Sequence, residues 1–247
     1  GGLISSNISY SALYFCPALF ALAVVSGLGL LIKESRPEGL AKASSPAFAS
    51  IFRDKVFMLF CLMIALTNVL YSQFYPLLSV YIGHFAFGPY FFGLLSSIAG
   101  GAVLLLQIPV RLGTARIGPT KAFVIAQVLI SAAFVYLLFA QDFSQFLVAV
   151  LILTLGEIVL IPAVPAFASN LSQAETRGRY IALTGLFFGI GGAASSQIAF
   201  TVYGQLVSKS LFWGIWGIFG FAILPGYLLL LKVARPRLDQ QKREVKK

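Results

Sequence analysis

Glu157 is the side chain in this sequence with the clearest capacity for chemistry. It lies near the centre of a run that is otherwise apolar from Phe146 to Phe167. A carboxylate at bilayer depth costs roughly 2.5–3.5 kcal/mol on insertion scales unless it is paired, protonated or turned toward water. Three roles are open to it: a proton-titrating or substrate-contacting group in a cavity, a structural ion pair or hydrogen bond to a neighbouring helix, or a permanently protonated bystander. Pro162 and Pro165 follow on the same run. Each removes a backbone donor, so bent or locally unwound backbone is expected close to the carboxylate.

A second polar group is the stretch holding Thr67, Asn68, Tyr71, Ser72, Gln73, Tyr75 and Pro76. Asn68, Tyr71, Ser72 and Tyr75 recur at spacings of three and four, which makes one helical face polar. In lipid such a face must look at protein or at water. It reads either as the wall of a substrate cavity, with Asn68, Tyr71, Gln73 and Tyr75 as its residues, or as a set of interhelical hydrogen bonds. Pro76 invites a bend in the same span.

Other chemistry finds no support. His84 is the single histidine and sits in a connection beside Gly83, so neither a metal cluster nor a Ser-His-Asp device can be assembled from the sequence. No phosphate-binding glycine loop follows a strand. Cys16 and Cys61 both fall within apolar runs, far apart, and read as packing residues. No enzyme activity, cofactor or metal is expected.

The elements that must position these groups follow from composition. The 247 residues are 59% hydrophobic and only 11% charged, with a mean hydropathy of +0.91. Soluble domains carry about 25% charged residues, so this is an integral membrane protein. Seven apolar stretches are long enough to cross about 30 Å of hydrocarbon, at approximately 10–32, 56–82, 89–112, 121–140, 145–169, 178–204 and 210–232. Short connections make consecutive spans antiparallel.

The net charge of +10 would suit nucleic acid, but the basic residues lie between and after the apolar runs. Placing the amino terminus outside puts 17 of the 18 Lys and Arg residues in inner segments and leaves Lys209 outside. By the positive-inside rule the carboxyl terminus is then cytoplasmic. Because the sequence opens at Gly1 without an initiator Met or charged leader, further spans are expected upstream of it.

The connection 33–55 carries Phe48, Ile51 and Phe52 at amphipathic spacing beside Arg53 and Lys55, which suits a short helix on the inner membrane surface; a disordered linker is the alternative. Arg116 and Gly118 suit a tight turn. Gly185 and Gly189 form a small-xxx-small pair for close helix packing. Trp213 and Trp216 read as interfacial anchors, and the basic segment from Arg235 to Lys247 as a solvated extension.

Taken together, Gly156-Glu157 through Pro162, Arg177-Gly178-Arg179-Tyr180 and the glycine-rich span after them resemble the tenth and eleventh helices of the drug:proton antiporter branch of the major facilitator superfamily. Tyr71-Ser72-Gln73 and Gln107-Ile108-Pro109 are similar to its seventh and eighth helices. Arg116-Ile117-Gly118 occupies the place of the second copy of its cytoplasmic loop motif, with Ala115 where an aspartate is usual and Arg111 where a glycine is usual. Gly1-Gly2 resembles the end of its fifth-helix motif. The resemblance covers essentially the whole chain and implies an all-α membrane fold, with these seven helices as helices six to twelve of twelve.

On that reading residues 1–32 close the first-half bundle with one transmembrane helix and 33–55 connect the halves. Residues 56–232 form the six-helix second half, and 233–247 form a basic cytoplasmic tail. The resemblance implies alternating access and a bacterial-type plasma (inner) membrane. The function it leads to is proton-coupled export of small amphipathic compounds. Glu157 would couple protons or form an ion pair, Gln107 would join Asn68, Tyr71, Gln73 and Tyr75 at the substrate cavity, and Arg116, Gly118, Arg177 and Arg179 would form the cytoplasmic gate. The partners are a small-molecule substrate, protons, the lipid bilayer and the missing first-half helices, without nucleic acid. An importer of a small metabolite on the same fold, a seven-helix receptor and a non-transporting scaffold are the other readings.

Overall fold

The computed structural model describes residues 15, 19–27, 51–85, 89–173 and 176–244. Residues 19–27 are helical with mostly exposed side chains. The rest of the first expected span, Cys16, the opening glycines, the connector before Ile51 and the last three residues lie outside the described residues.

Seven helices follow: α1 (Lys55–Tyr71), α2 (Phe74–Gly83), α3 (Pro89–Ile117), α4 (Pro119–Leu137), α5 (Phe143–Leu171), α6 (Arg177–Gln205) and α7 (Lys209–Glu244). With α1 and α2 counted as one span, six helical segments among the described residues are long and apolar enough to cross a membrane. Their bounds agree with the apolar runs to within a few residues, because hydrocarbon forces every backbone polar group to pair within its own segment.

The interruption between α1 and α2 falls at Ser72 and Gln73. Pro76 lacks the N–H that would bond the Ser72 carbonyl, and its ring crowds that carbonyl, so the helix breaks one turn before the proline. In α5, by contrast, the helix runs on through Pro162 and Pro165 to Leu171, so the local unwinding expected there is absent. Gly118 turns the chain between α3 and α4 with φ +80, a conformation that glycine adopts at little cost. At the other end Asp142 caps α5 in a reciprocal box with Gln145. Bonds from the Ser144 hydroxyl and the Gln145 backbone hold the Asp142 carboxyl below the usual carboxylate range.

α4 packs on α5 and α7, α1 on α6 and α7, and α3 on α5. Two aromatic clusters fill the bundle. Phe60, Phe123, Phe167 and Tyr227 meet near the end that carries the Lys and Arg residues, called here the basic end. Phe74, Tyr81, Phe134 and Trp213 meet toward the opposite end. Trp213 is therefore a core residue rather than an interfacial anchor: α2 and α4 converge on its indole and leave it 0% exposed.

Between the clusters a buried polar knot ties α1 to α4 and α7. The Thr67 hydroxyl donates to Gln127 Oε1 at 2.7 Å and lies 2.7 Å from the Tyr227 hydroxyl. Gln127 Nε2 donates to the Gly220 carbonyl at 2.9 Å and to Ser131 at 3.3 Å. At the end opposite the basic one, Lys209 Nζ donates to the carbonyls of Tyr203, Gly204 and Leu206. It thus serves the orphan carbonyls at the C-terminus of α6, which explains a lone cation at that end.

Candidate functional site

Glu157 stands at the midpoint of α5, half-buried. Thr154 lies one turn away on the same helix, facing the antiparallel α1–α2 span. Two phenols of that span lie close by: Tyr71 near the Glu157 carboxylate, and Tyr75 near both Glu157 and Thr154. A phenol is a neutral donor, so Tyr71 can donate to the carboxylate without cancelling its charge.

On the other side of Glu157, α3 contributes Val103 and Gln107. Together with Glu157, Ile158, Ile161 and Pro162 they line a cleft of about 70 Å³, open on one side. The cleft is large enough to admit water, which needs roughly 10–15 Å³ per molecule. Pro162 and Pro165 add to its polarity. Each lacks the N–H that would pair with the carbonyl four residues earlier, which deprives Ile158 and Ile161 of their intrahelical donors. A carboxylate and a carboxamide thus share the cleft, with the Tyr71 phenol near the carboxylate. Such a site can bind a proton and orient a solute that donates hydrogen bonds.

The residues expected at the cavity divide into two groups. Gln107, Tyr71 and Tyr75 gather around Glu157 and Thr154. Asn68 does not: it is 3% exposed, and its Nδ2 donates to the Phe188 carbonyl of α6 at 2.6 Å while its Oδ1 accepts from Ser72. Gln73 is 1% exposed at the helix break, and neither of its amide atoms has a partner among the described residues. Both belong to the interior of the bundle. With Pro76 breaking the span, the face drawn with one continuous helical period is not continuous at residue 73.

Close helix packing also falls elsewhere than expected. A Cβ on Gly185 or Gly189 would meet nothing within 4 Å, whereas one on Gly191 would run into the Ala65 carbonyl, and one on Gly192 would come within 3.0 Å of Asn68 Nδ2. The α1–α6 contact thus centres one helical turn away from the motif. Arg116 and Arg177 are exposed and Arg179 is half-buried, all at the basic end with Gly118.

Thr154 escaped the sequence reading because a lone threonine in an apolar run carries no periodic signal. Asp54 also escaped it, although Asp just before an apolar run is a helix-start signal: its side chain accepts from the Phe57 N–H at 3.2 Å as the N-cap of α1. Among the described residues no cluster of His, Cys, Asp and Glu could hold a metal ion.

No curated protein matches the chain. The family model described as Major Facilitator Superfamily matches residues 1–196 and 76–247. Since those two stretches together leave no residue outside the match, the chain belongs to the Major Facilitator Superfamily, a class of multi-pass membrane transporters.

Proposed function

We propose that the chain forms the second-half bundle, with one helix of the first half, of a proton-coupled secondary transporter that exports small amphipathic compounds by alternating access. The observation that carries this reading is Glu157, a carboxylate at mid-helix with the Tyr71 phenol close by and a cleft beside it. Titratable groups placed at this depth typically mark ion or proton pathways. A cleft of about 70 Å³ is far smaller than the roughly 300–1,000 Å³ of a drug-sized site. In this proposal the first-half helices supply the opposing wall.

The exposed faces support the same arrangement. The membrane-spanning parts of α3 and α6 are mostly exposed, whereas half of that of α5 is buried. Leu104, Leu105 and Ile108 on α3 and Leu186 and Ile190 on α6 are exposed. The first-half helices would cover these faces, with Gly185 and Gly189 admitting close approach there. Residues 33–55 would connect the halves, 233–247 would extend into the cytoplasm, and Arg116, Gly118, Arg177 and Arg179 would serve the cytoplasmic gate.

Glu157→Gln tests the coupling role. In the complete transporter reconstituted in vesicles, the variant is expected to insert normally and to retain exchange of an amphipathic fluorescent probe while losing proton-driven flux. A flux with unchanged pH dependence in that variant would remove Glu157 from the coupling step.

A further inference from the structure

One arginine at the basic end joins α7 to three other elements of the bundle. Arg237 donates from one terminal nitrogen to Asp54 Oδ2 at 2.6 Å and from the other to the Leu171 carbonyl at 2.7 Å. The same Asp54 oxygen accepts from the Tyr180 hydroxyl at 3.0 Å. The cap of α1, the last residue of α5, the first turn of α6 and the extension of α7 therefore meet at one carboxylate and one guanidinium.

The fork geometry of arginine suits this arrangement, since its two terminal nitrogens hold two acceptors in fixed directions, whereas a lysine donates all its bonds from one atom. An isolated surface ion pair contributes little, but this one is built differently. The Asp54 side chain is 11% exposed and Arg237 41%, so the acid is enclosed and the arginine closes over it from outside. Its second bond serves a carbonyl of the final turn of α5, one of the groups a helix end leaves orphaned. The segment expected to be a solvated tail is thus anchored at its first turn.

We propose that Arg237 is a positioning residue for the Glu157 site: by pinning Asp54 to Leu171 it sets the spacing of α1 and α5, the helices that carry Tyr71 and Glu157. Leu171 lies about 21 Å along α5 from Glu157, at 1.5 Å per residue, and a continuous helix transmits a shift of its end over that distance. The clasp stands independently of transport; only the importance of the spacing rests on the function proposed above.

The test needs no substrate. In the complete transporter with Cys16→Ser, buried Cys61, on α1 two turns from Asp54, reports opening of the clasp through its alkylation by N-ethylmaleimide. Reaction of Glu157 with the apolar reagent dicyclohexylcarbodiimide, read by peptide mass, reports movement of Tyr71 away from the carboxylate. Arg237→Ala, which removes both charge-assisted bonds, is expected to accelerate both reactions by at least about tenfold. Arg237→Lys is expected to fall between and serves if the alanine variant fails to fold. Tyr71→Phe is expected to accelerate only the reaction at Glu157. Unchanged Cys61 alkylation in both Arg237 variants would overturn the clasp. Faster alkylation with unchanged Glu157 reactivity would overturn the positioning role. Failure of Glu157→Gln to alter flux would sink the transport mechanism and leave these two results standing.

Discussion

Gly191→Ala isolates the contact on which the α1–α6 interface depends. The added methyl would meet the backbone of Ala65, with the carbonyl oxygen nearest and the carbonyl carbon and Cα at 3.0 and 3.1 Å. Ordinary contact begins near 3.4 Å, and backbone in a packed helix cannot rotate aside as a side chain can, so the two helices must separate locally. Overpacking of this kind costs about 1–3 kcal/mol. The Asn68–Phe188 bond at 2.6 Å lies one turn away and is stretched by the same movement. An interhelical bond in a membrane protein adds about 0.6 kcal/mol. The expected destabilisation is therefore about 1.6–3.6 kcal/mol, a factor of roughly 15–400 in the folded-to-unfolded ratio. Graded SDS unfolding in mixed micelles, followed by the fluorescence of buried Trp213, measures it. In this bundle without the first-half helices, Gly185→Ala and Gly189→Ala, whose new methyl groups meet nothing within 4 Å, should stay within about 0.5 kcal/mol of the parent. If all three variants unfold alike, the close approach at Gly191 is not what holds α1 to α6.

The polar knot and the helix cap give two further expectations. Gln127→Leu removes the acceptor for Thr67 and the donor to Gly220 and Ser131, and should cost about 1–2 kcal/mol on the same unfolding scale. Adding Thr67→Val should cost less in that background than alone, and strict additivity would refute the coupling. Asp142 has a folded-state carboxyl pKa below its unfolded value, so its contribution is fully present above the ordinary carboxylate range and is lost as pH falls through the folded value. Asp142→Ala should therefore be less stable than the parent at neutral pH and converge with it in acid; a difference that does not change with pH would refute the assignment.

The sequence by itself determined the membrane fold, the limits of each described span and the carboxylate at its centre. Those properties are nearly one-dimensional. Hydrocarbon thickness sets the length of an apolar run, unsatisfied backbone groups force it to be helical, and the cost of a buried charge makes Glu157 conspicuous. Pro76 likewise announced a disturbance, and the break at Ser72 and Gln73 followed from its missing donor. Which faces meet was decided only by tertiary structure. Lipid is as apolar as Leu, so hydrophobicity does not distinguish a face that packs on protein from one that packs on lipid. This is why Gly185 and Gly189 looked like the packing motif while Gly191 makes the contact, and why Asn68 and Gln73 looked like cavity residues while the bundle encloses them. The Asp54–Arg237 pair spans 183 residues, and the Thr67–Tyr227 contact spans 160. No local spacing encodes such pairs: they exist because several helix ends and faces converge in space, where a buried polar group must find its partner from whichever helix stands opposite.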